Sequence, residues 1–225
     1  MSAAHELVVL DDEAAVARRG AEMIAEAARD AVADHGDFTM AASGGHTPWA
    51  MYGQLEEQEL PWADTAIYQV DERLAPAGSP ERNLTHLIAA LSIGAQGSLR
   101  PMPVDVDVPD KGAERYAQLL PVRLELIHLG LGPDGHTASL VPDDPVLDVT
   151  DSRVAVTGNE YQGTRRMTLT YPVLAESKRL LWIVAGESKR DALSRLLAGD
   201  TSIPAGRVEA KESVILADRA AAPES

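Results

Sequence analysis

The sequence contains no cysteine. Disulfides and thiol chemistry are therefore excluded, and cytoplasmic life is the simplest expectation. Positive charge is also scarce, with 20 Lys and Arg against 35 Asp and Glu and a formal net charge of −15. Such a field repels nucleic acid and anionic membranes, so neither is expected as a partner. A small phosphorylated substrate stays open, because a few local cations and backbone amides overcome the global field. No apolar run approaches the ~20 residues that span a bilayer. The opening MSAAHELVVLDDEAAV is acidic and lacks the basic-then-apolar order of a signal peptide. Walker A, GxGxxG, HExxH and CxxC patterns are all missing, and His5, His35, His46 and His86 share no metal-ligand spacing.

What is present is an ordinary globular composition, 45% hydrophobic and 24% charged over 225 residues, enough for one well-buried core. HELVVL (His5–Leu10) reads as a buried strand. The helix after it carries Val16, Met23, Ile24, Ala27, Ala28 and Val32 at helical spacing and stops at Gly36. DFTMAAS, TAIYQV, LELIHLG, RVAVTG, RRMTLTY, RLLWIVAG and ESVILAD read as further strands. Helices are expected from about Pro48 to Glu59, over Asn83–Leu91, in DKGAERYAQLL and in ESKRDALSRLLAG. This alternation predicts an α/β, Rossmann-like fold, a mostly parallel sheet with helices on both faces. No repeat or linker interrupts it, so residues 1–225 are expected to form a single domain, with 219–225 as a frayed tail.

In such sheets ligands bind at the carboxyl ends of the strands. Four of those ends carry unusual polar residues. SGGHTP places Gly44 and Gly45 between a strand and a helix, with hydroxyls at Ser43 and Thr47 and a helix start at Pro48. It reads either as a phosphate cradle built on a helix N-terminus or as a tight turn that Thr47 caps. DER sets Asp71, Glu72 and Arg73 just beyond a buried strand, as a solvated cluster or as part of a ligand rim. GESK puts the Lys189 cation in the first turn of a helix, where the helix dipole disfavours it unless an anion is bound. In RRMTLTY, if Met167 and Leu169 face the core, Arg166 lies on the opposite face, and an arginine grips phosphate through paired hydrogen bonds; plain surface solvation is the other reading of both Lys189 and Arg166.

GLGPDGHTASL is the richest of the set. Gly135 lets the chain turn between Asp134 and His136. A helix is expected after His136 and would disfavour the imidazolium, keeping the ring neutral and basic, with Asp134 to orient it. No serine or cysteine nucleophile accompanies this pair, so water is the expected nucleophile. His128, inside the strand, reads as a core histidine.

SGGHTP, DER, LGLGPDGHTASLVP, RRMTLTYPVL and VAGESKRDAL together resemble, in order and approximate spacing, the glucosamine-6-phosphate isomerase/6-phosphogluconolactonase family. Arg73 and the TASL run favour its lactonase branch over its deaminase branch. The resemblance spans Val8 to Asp218. It implies hydrolysis of 6-phospho-D-glucono-1,5-lactone, a phosphorylated sugar lactone, without cofactor or metal. By position it implies that His136 is the general base with Asp134 beside it. Ser43, Gly44, Gly45, Thr47, Arg166 and Lys189 would bind phosphate, and Asp71 and Arg73 would meet the substrate, with Arg73 able to stabilise developing negative charge. The chain departs from the pattern at His46, where serine is commoner, at Val141 within SLVP, and at Arg82 before Asn83. The alternatives are an amino-sugar-phosphate deaminase or isomerase and a non-catalytic sugar-phosphate-binding module.

Overall fold

The computed structural model describes residues 5–91 and 97–223. Its centre is a seven-stranded sheet in the order β1 (His5–Leu10), β10 (Ser213–Asp218), β9 (Arg179–Val184), β6 (Leu126–Gly130), β2 (Phe38–Ala42), β3 (Thr65–Gln69) and β5 (Leu99–Arg100). Every pairing in it is parallel. A parallel sheet is covered on both faces, and here successive residues of a strand feed two different cores. Leu181, Ile183, Val214 and Leu216 point to one side, against α1 (Glu13–His35), α2 (His46–Gly53) and α3 (Asn83–Ala90). Leu180, Trp182, Val184, Ile215 and Ala217 point to the other, against α4 (Pro109–Leu119), α5 (Tyr171–Glu176) and α6 (Arg190–Leu197). The layered α/β, Rossmann-like expectation matches this arrangement.

Helix α1 shows how local sequence sets an element's limits. Asp12 accepts a hydrogen bond from the Ala15 amide at its start, and Gly36 closes it at φ +95°. Alanines at 17, 21, 25 and 28 let this helix lie close against the sheet, and all four are fully buried.

Three local expectations are corrected. RVAVTG and RRMTLTY do not join the main sheet. They form β7 (Val154–Val156) and β8 (Arg166–Leu169), which pair antiparallel with each other and with β4 (Asp71–Arg73) in a separate three-stranded sheet. Their short link turns through Gln162 and Gly163, both at positive φ, and so tight a connection permits only an antiparallel return. The helix expected from Pro48 to Glu59 starts earlier, at His46, with Gly45 as its N-cap at φ +136°, and tightens into a 3-10 turn over Gln54–Glu57. Thr47 does not cap it. The helix expected after His136 is absent: Ala138 takes φ +53°, Thr137 bridges Leu140, and Ser139 is pinned to β4 and β8 through Asp71 and Thr168.

The tail is held further than expected. Ala221 is fully buried and its amide bonds the Asp218 carboxylate, and the Ala222 amide bonds the Asp218 carbonyl. Residues 224 and 225 of the expected frayed segment lie outside the described residues. No described helix is long and apolar enough to cross a membrane.

Candidate active site

Strand order runs away from the β6–β2 boundary in both directions, through β9 to β1 and through β3 to β5. At such a switch point the loops diverge and leave a crevice at the carboxyl ends of the strands. A cleft of about 380 Å³ lies there. It is lined by Ser43, Gly44, Gly45 and Thr47 after β2, by Asp71 and Arg73 in β4, by His136 after β6, by Arg166 in β8 and by Lys189 after β9. Asp134 stands behind His136. All ten residues singled out from sequence thus sit at or against one cleft, although they are spread over nearly 150 positions.

The Ser43–Gly45 turn is shaped by what surrounds it. A Cβ on Gly44 would collide with the Asn83 side chain, so only glycine fits there. The Ser43 amide donates to His128 Nδ1 at 3.2 Å, and the Tyr52 hydroxyl lies 2.7 Å from that nitrogen and 3.1 Å from the Ser43 carbonyl. Since Nδ1 accepts, the His128 proton is on Nε2, which has no hydrogen-bond partner among the described residues. Complete burial lowers the His128 pKa to about 3, so the ring is a neutral prop beneath the turn.

Thr47 and His46 meet a residue that the sequence reading passed over. The Thr47 hydroxyl donates to Glu13 Oε1 at 2.5 Å, and His46 Nδ1 donates to the same oxygen at 2.9 Å. These hydrogen bonds hold the Glu13 carboxyl below its ordinary value. The Thr47 proton is therefore already engaged by a carboxylate. Glu13 follows the carboxyl end of β1, and that position on the rim is the signal that could have found it.

The loop of Asp134 and His136 is tightly folded. The Gly132 amide donates to the His136 carbonyl at 2.8 Å, and Gly135 turns at φ +82° with no room for a Cβ beside Ile203. His136 Nδ1 lies 2.6 Å from Asp134 Oδ1, which also accepts the His136 amide at 3.2 Å. This bond places the proton on Nδ1 and leaves Nε2 as the free basic nitrogen. Asp134 orients the ring and selects its tautomer. Burial pushes the Asp134 carboxyl up, but His136 and the Tyr161 hydroxyl outweigh it and hold the acid below its ordinary value.

Cations occupy the remaining walls. Arg73 of β4 stands directly opposite Arg166 of β8 in the antiparallel register. Like charges in such positions repel and are unfavourable unless something negative lies between or beside them. Nε of each arginine is buried and has no hydrogen-bond partner among the described residues. Burial lowers the Arg166 pKa, partly offset by the nearby Asp71 carboxylate. Lys189 is half-buried after β9 and is likewise lowered by burial, with Asp134 pulling the other way. Among the described residues no cluster of three or more His, Cys, Asp or Glu side chains is placed to hold a metal.

Asp71 spends its carboxylate on Asn83 and on the Ser139 hydroxyl at 2.6 Å, so it braces the cleft wall. Glu72, fully buried, accepts from the amides of Arg73, Asn83 and Leu84 and from the Gln69 side chain. Arg82, one of the departures noted above, is also buried and stands 3.3 Å from Glu72 without hydrogen-bond alignment, off the cleft lining.

The family model described as glucosamine-6-phosphate isomerases/6-phosphogluconolactonase matches residues 11–216. The chain is 35% identical over 181 residues to a 6-phosphogluconolactonase of Synechocystis sp., covering 75% of both proteins. It is 32% identical over 204 residues to a 6-phosphogluconolactonase of Nostoc sp., covering 84% of both. Among solved structures, the 6-phosphogluconolactonase of Thermotoga maritima superposes with a TM-score of 0.86 at 26% identity, over 96% of this chain and 100% of that one. A monomeric glucosamine-6-phosphate deaminase shares the fold with a TM-score of 0.82 at 20% identity, over 96% of this chain and 98% of that one. The cleft at the switch point and these likenesses agree: the chain belongs to the glucosamine-6-phosphate isomerase/6-phosphogluconolactonase family.

Proposed function

We propose that this protein hydrolyses 6-phospho-D-glucono-1,5-lactone to 6-phospho-D-gluconate, with water activated by His136. The observation that carries the reading is that one cleft joins a base, His136 held by Asp134 at 2.6 Å, to a set of anion-binding groups. The phosphate docks against the backbone of the Ser43–Gly45 turn, the start of α2, Arg166 and Lys189. Thr47 shapes that turn while its proton stays with Glu13. The lactone ring then reaches towards His136.

His136 Nε2 takes a proton from water as its oxygen attacks the ring carbonyl carbon. The negative charge that develops on the carbonyl oxygen requires donors already in place. Arg73 and the backbone amides of the glycine-rich loops are the available ones. When the tetrahedral intermediate collapses, the bond from the former carbonyl carbon to the ring oxygen breaks. The imidazolium returns its proton to that oxygen, giving the open-chain hydroxyl and a carboxylic acid that ionises in water.

The test is an assay on freshly prepared 6-phosphogluconolactone, corrected for spontaneous hydrolysis, beside the unphosphorylated lactone. Strong acceleration confined to the phosphorylated lactone is the expected result. Ammonia release from glucosamine 6-phosphate without lactone hydrolysis would move the assignment to the deaminase branch, and tight binding without turnover would leave only a binding module.

A further inference from the structure

Tyr161 belongs to none of the motifs read from sequence, yet it touches both ends of the site. Its hydroxyl donates to Asp134 Oδ2 at 3.0 Å and lies 3.3 Å from His136 Nδ1. Its ring packs edge-on against the His136 ring, with centroids 5.2 Å apart. On the other side the Arg166 guanidinium lies 4.9 Å from the Tyr161 ring centre, and Arg166 Nη2 donates to the Tyr161 carbonyl and to Gln162 Oε1, both at 3.2 Å.

The chain holds this side chain on a built support. Tyr161 and Thr164 bridge across a two-residue turn whose centre, Gln162 and Gly163, has φ of +54° and +85°. Two successive positive values form the tight hairpin turn whose twist matches paired strands. The base of the same loop is tied down by Asp144, 3% exposed, which accepts from the amides of Gly158 and Asn159 at 3.0 and 2.9 Å. Thr157 fastens the loop to β8 through the Arg166 amide at 2.9 Å.

We propose that Tyr161 is a positioning residue that couples the acid–base pair to the anion-binding arginine, its hydroxyl fixing Asp134 and its ring fixing Arg166. The inference rests on the reading of His136 as the base. Asp134 Oδ1 is held by the His136 ring and amide, which leaves the Oδ2 end to be fixed, and Tyr161 is the donor at that oxygen. Without it the carboxylate is free to turn, and Nδ1 loses a partner in fixed alignment. A 1 Å misplacement of a reacting group far exceeds what efficient proton transfer tolerates. Burial, and then the bond to Asp134, raise the phenol pKa, which keeps Tyr161 a donor throughout the neutral range.

Two variants separate the two halves of this role. Tyr161→Phe keeps the ring and removes one oxygen. It is expected to lower kcat about tenfold, the order of one lost hydrogen bond to a charged group, with KM nearly unchanged. It also changes the alignment and the field that Asp134 presents to the His136 ring, so the acid limb of the kcat/KM profile moves. The charged and titratable groups around His136 are Asp134 on its own loop, Arg166 beside Tyr161, and, across the same cleft, Glu13 of α1, His46 of α2, Asp71 and Arg73 of β4 and Lys189 after β9. All of them remain in the variant. Tyr161→Leu removes the stack on Arg166 as well, and KM for the phosphorylated lactone is expected to rise about threefold further, as for one exposed cation–π contact.

His136→Ala is measured in parallel. If it retains parental turnover, the base is misassigned and the inference falls with it. If it is inactive while Tyr161→Phe, folded by its melting curve, shows parental kcat and an unmoved acid limb, the Tyr161 inference alone is wrong. A shifted limb with lowered kcat and steady KM supports it, because a merely structural loss would lower the active fraction without moving the profile.

Discussion

Asp134 and His136 stand two positions apart, and that spacing around Gly135 was enough to mark them in the sequence. A carboxylate and an imidazole across one glycine at φ +82° meet without help from the rest of the fold. Replacing His136 with alanine removes the proposed base, and kcat is expected to fall by roughly 10²–10⁴ with little change in KM; steady-state kinetics on the phosphorylated lactone check this. Glu13 was not marked, because nothing near it in sequence reveals that Thr47 and His46 will donate to it from more than thirty residues away. Its carboxylate lines the same cleft as Lys189 and Arg166 and would oppose the proposed phosphate. Glu13→Gln is expected to lower KM about twofold, a modest factor because the group is partly exposed and screened. The gain should shrink as salt is added, and a higher KM would show instead that Glu13 helps to hold the turn.

Among elements, the least conspicuous one is central to the site. DER read as a strand end and became a strand of its own, β4, whose pairing with β8 brings Arg73 opposite Arg166. That pairing cannot be read from three residues, since local pattern does not say which distant strand an isolated triplet will join. Glu72 anchors it. The carboxylate accepts the first two amides of α3 and stands beside buried Arg82. Glu72→Ala leaves those amides and the arginine buried without their acceptor, at a cost of roughly 3–5 kcal/mol. The melting temperature should fall by about 10 °C. A drop of only one or two degrees would mean that water reaches these groups and the anchor is dispensable. Helix α2 taught a smaller lesson: Thr47 had the right chemistry for a cap, but a carboxylate from α1 competed for its hydroxyl and Gly45 took the cap position.

At the scale of the molecule, burial of His128 links stability to pH. In the unfolded chain this ring takes up a proton near its ordinary 6.5, whereas in the folded protein it stays neutral to about 3. Between those values the unfolded state holds the extra proton. Stability is therefore full above pH 6.5 and is lost as pH falls, by up to ~1.4 kcal/mol per pH unit. Half-buried His5 is lowered by burial too and acts with the same sign. Urea denaturation at pH 7.5 and 5.5 should show the folded state weaker at the lower pH, with the His128 ring resonances unmoved between them. Ring resonances that titrate above pH 5 would contradict a buried, neutral prop under the Ser43 turn.

The layered α/β architecture was legible in the amino-acid order because strands and helices of this length announce themselves by period. The strand-end clusters were legible because glycine, a helix start and an acid–imidazole pair are local chemistry. The tertiary structure alone decided which strand ends face one another, that the turn after His136 is not a helix, that Glu13 lines the cleft, and that Glu72 and Tyr161 brace the residues around it. Those three act through partners supplied by separate segments, and hydrogen bonds of that kind leave no period or spacing in the chain. Their existence depends on the strand order and on β4 leaving the main sheet, which are settled only when the two cores close.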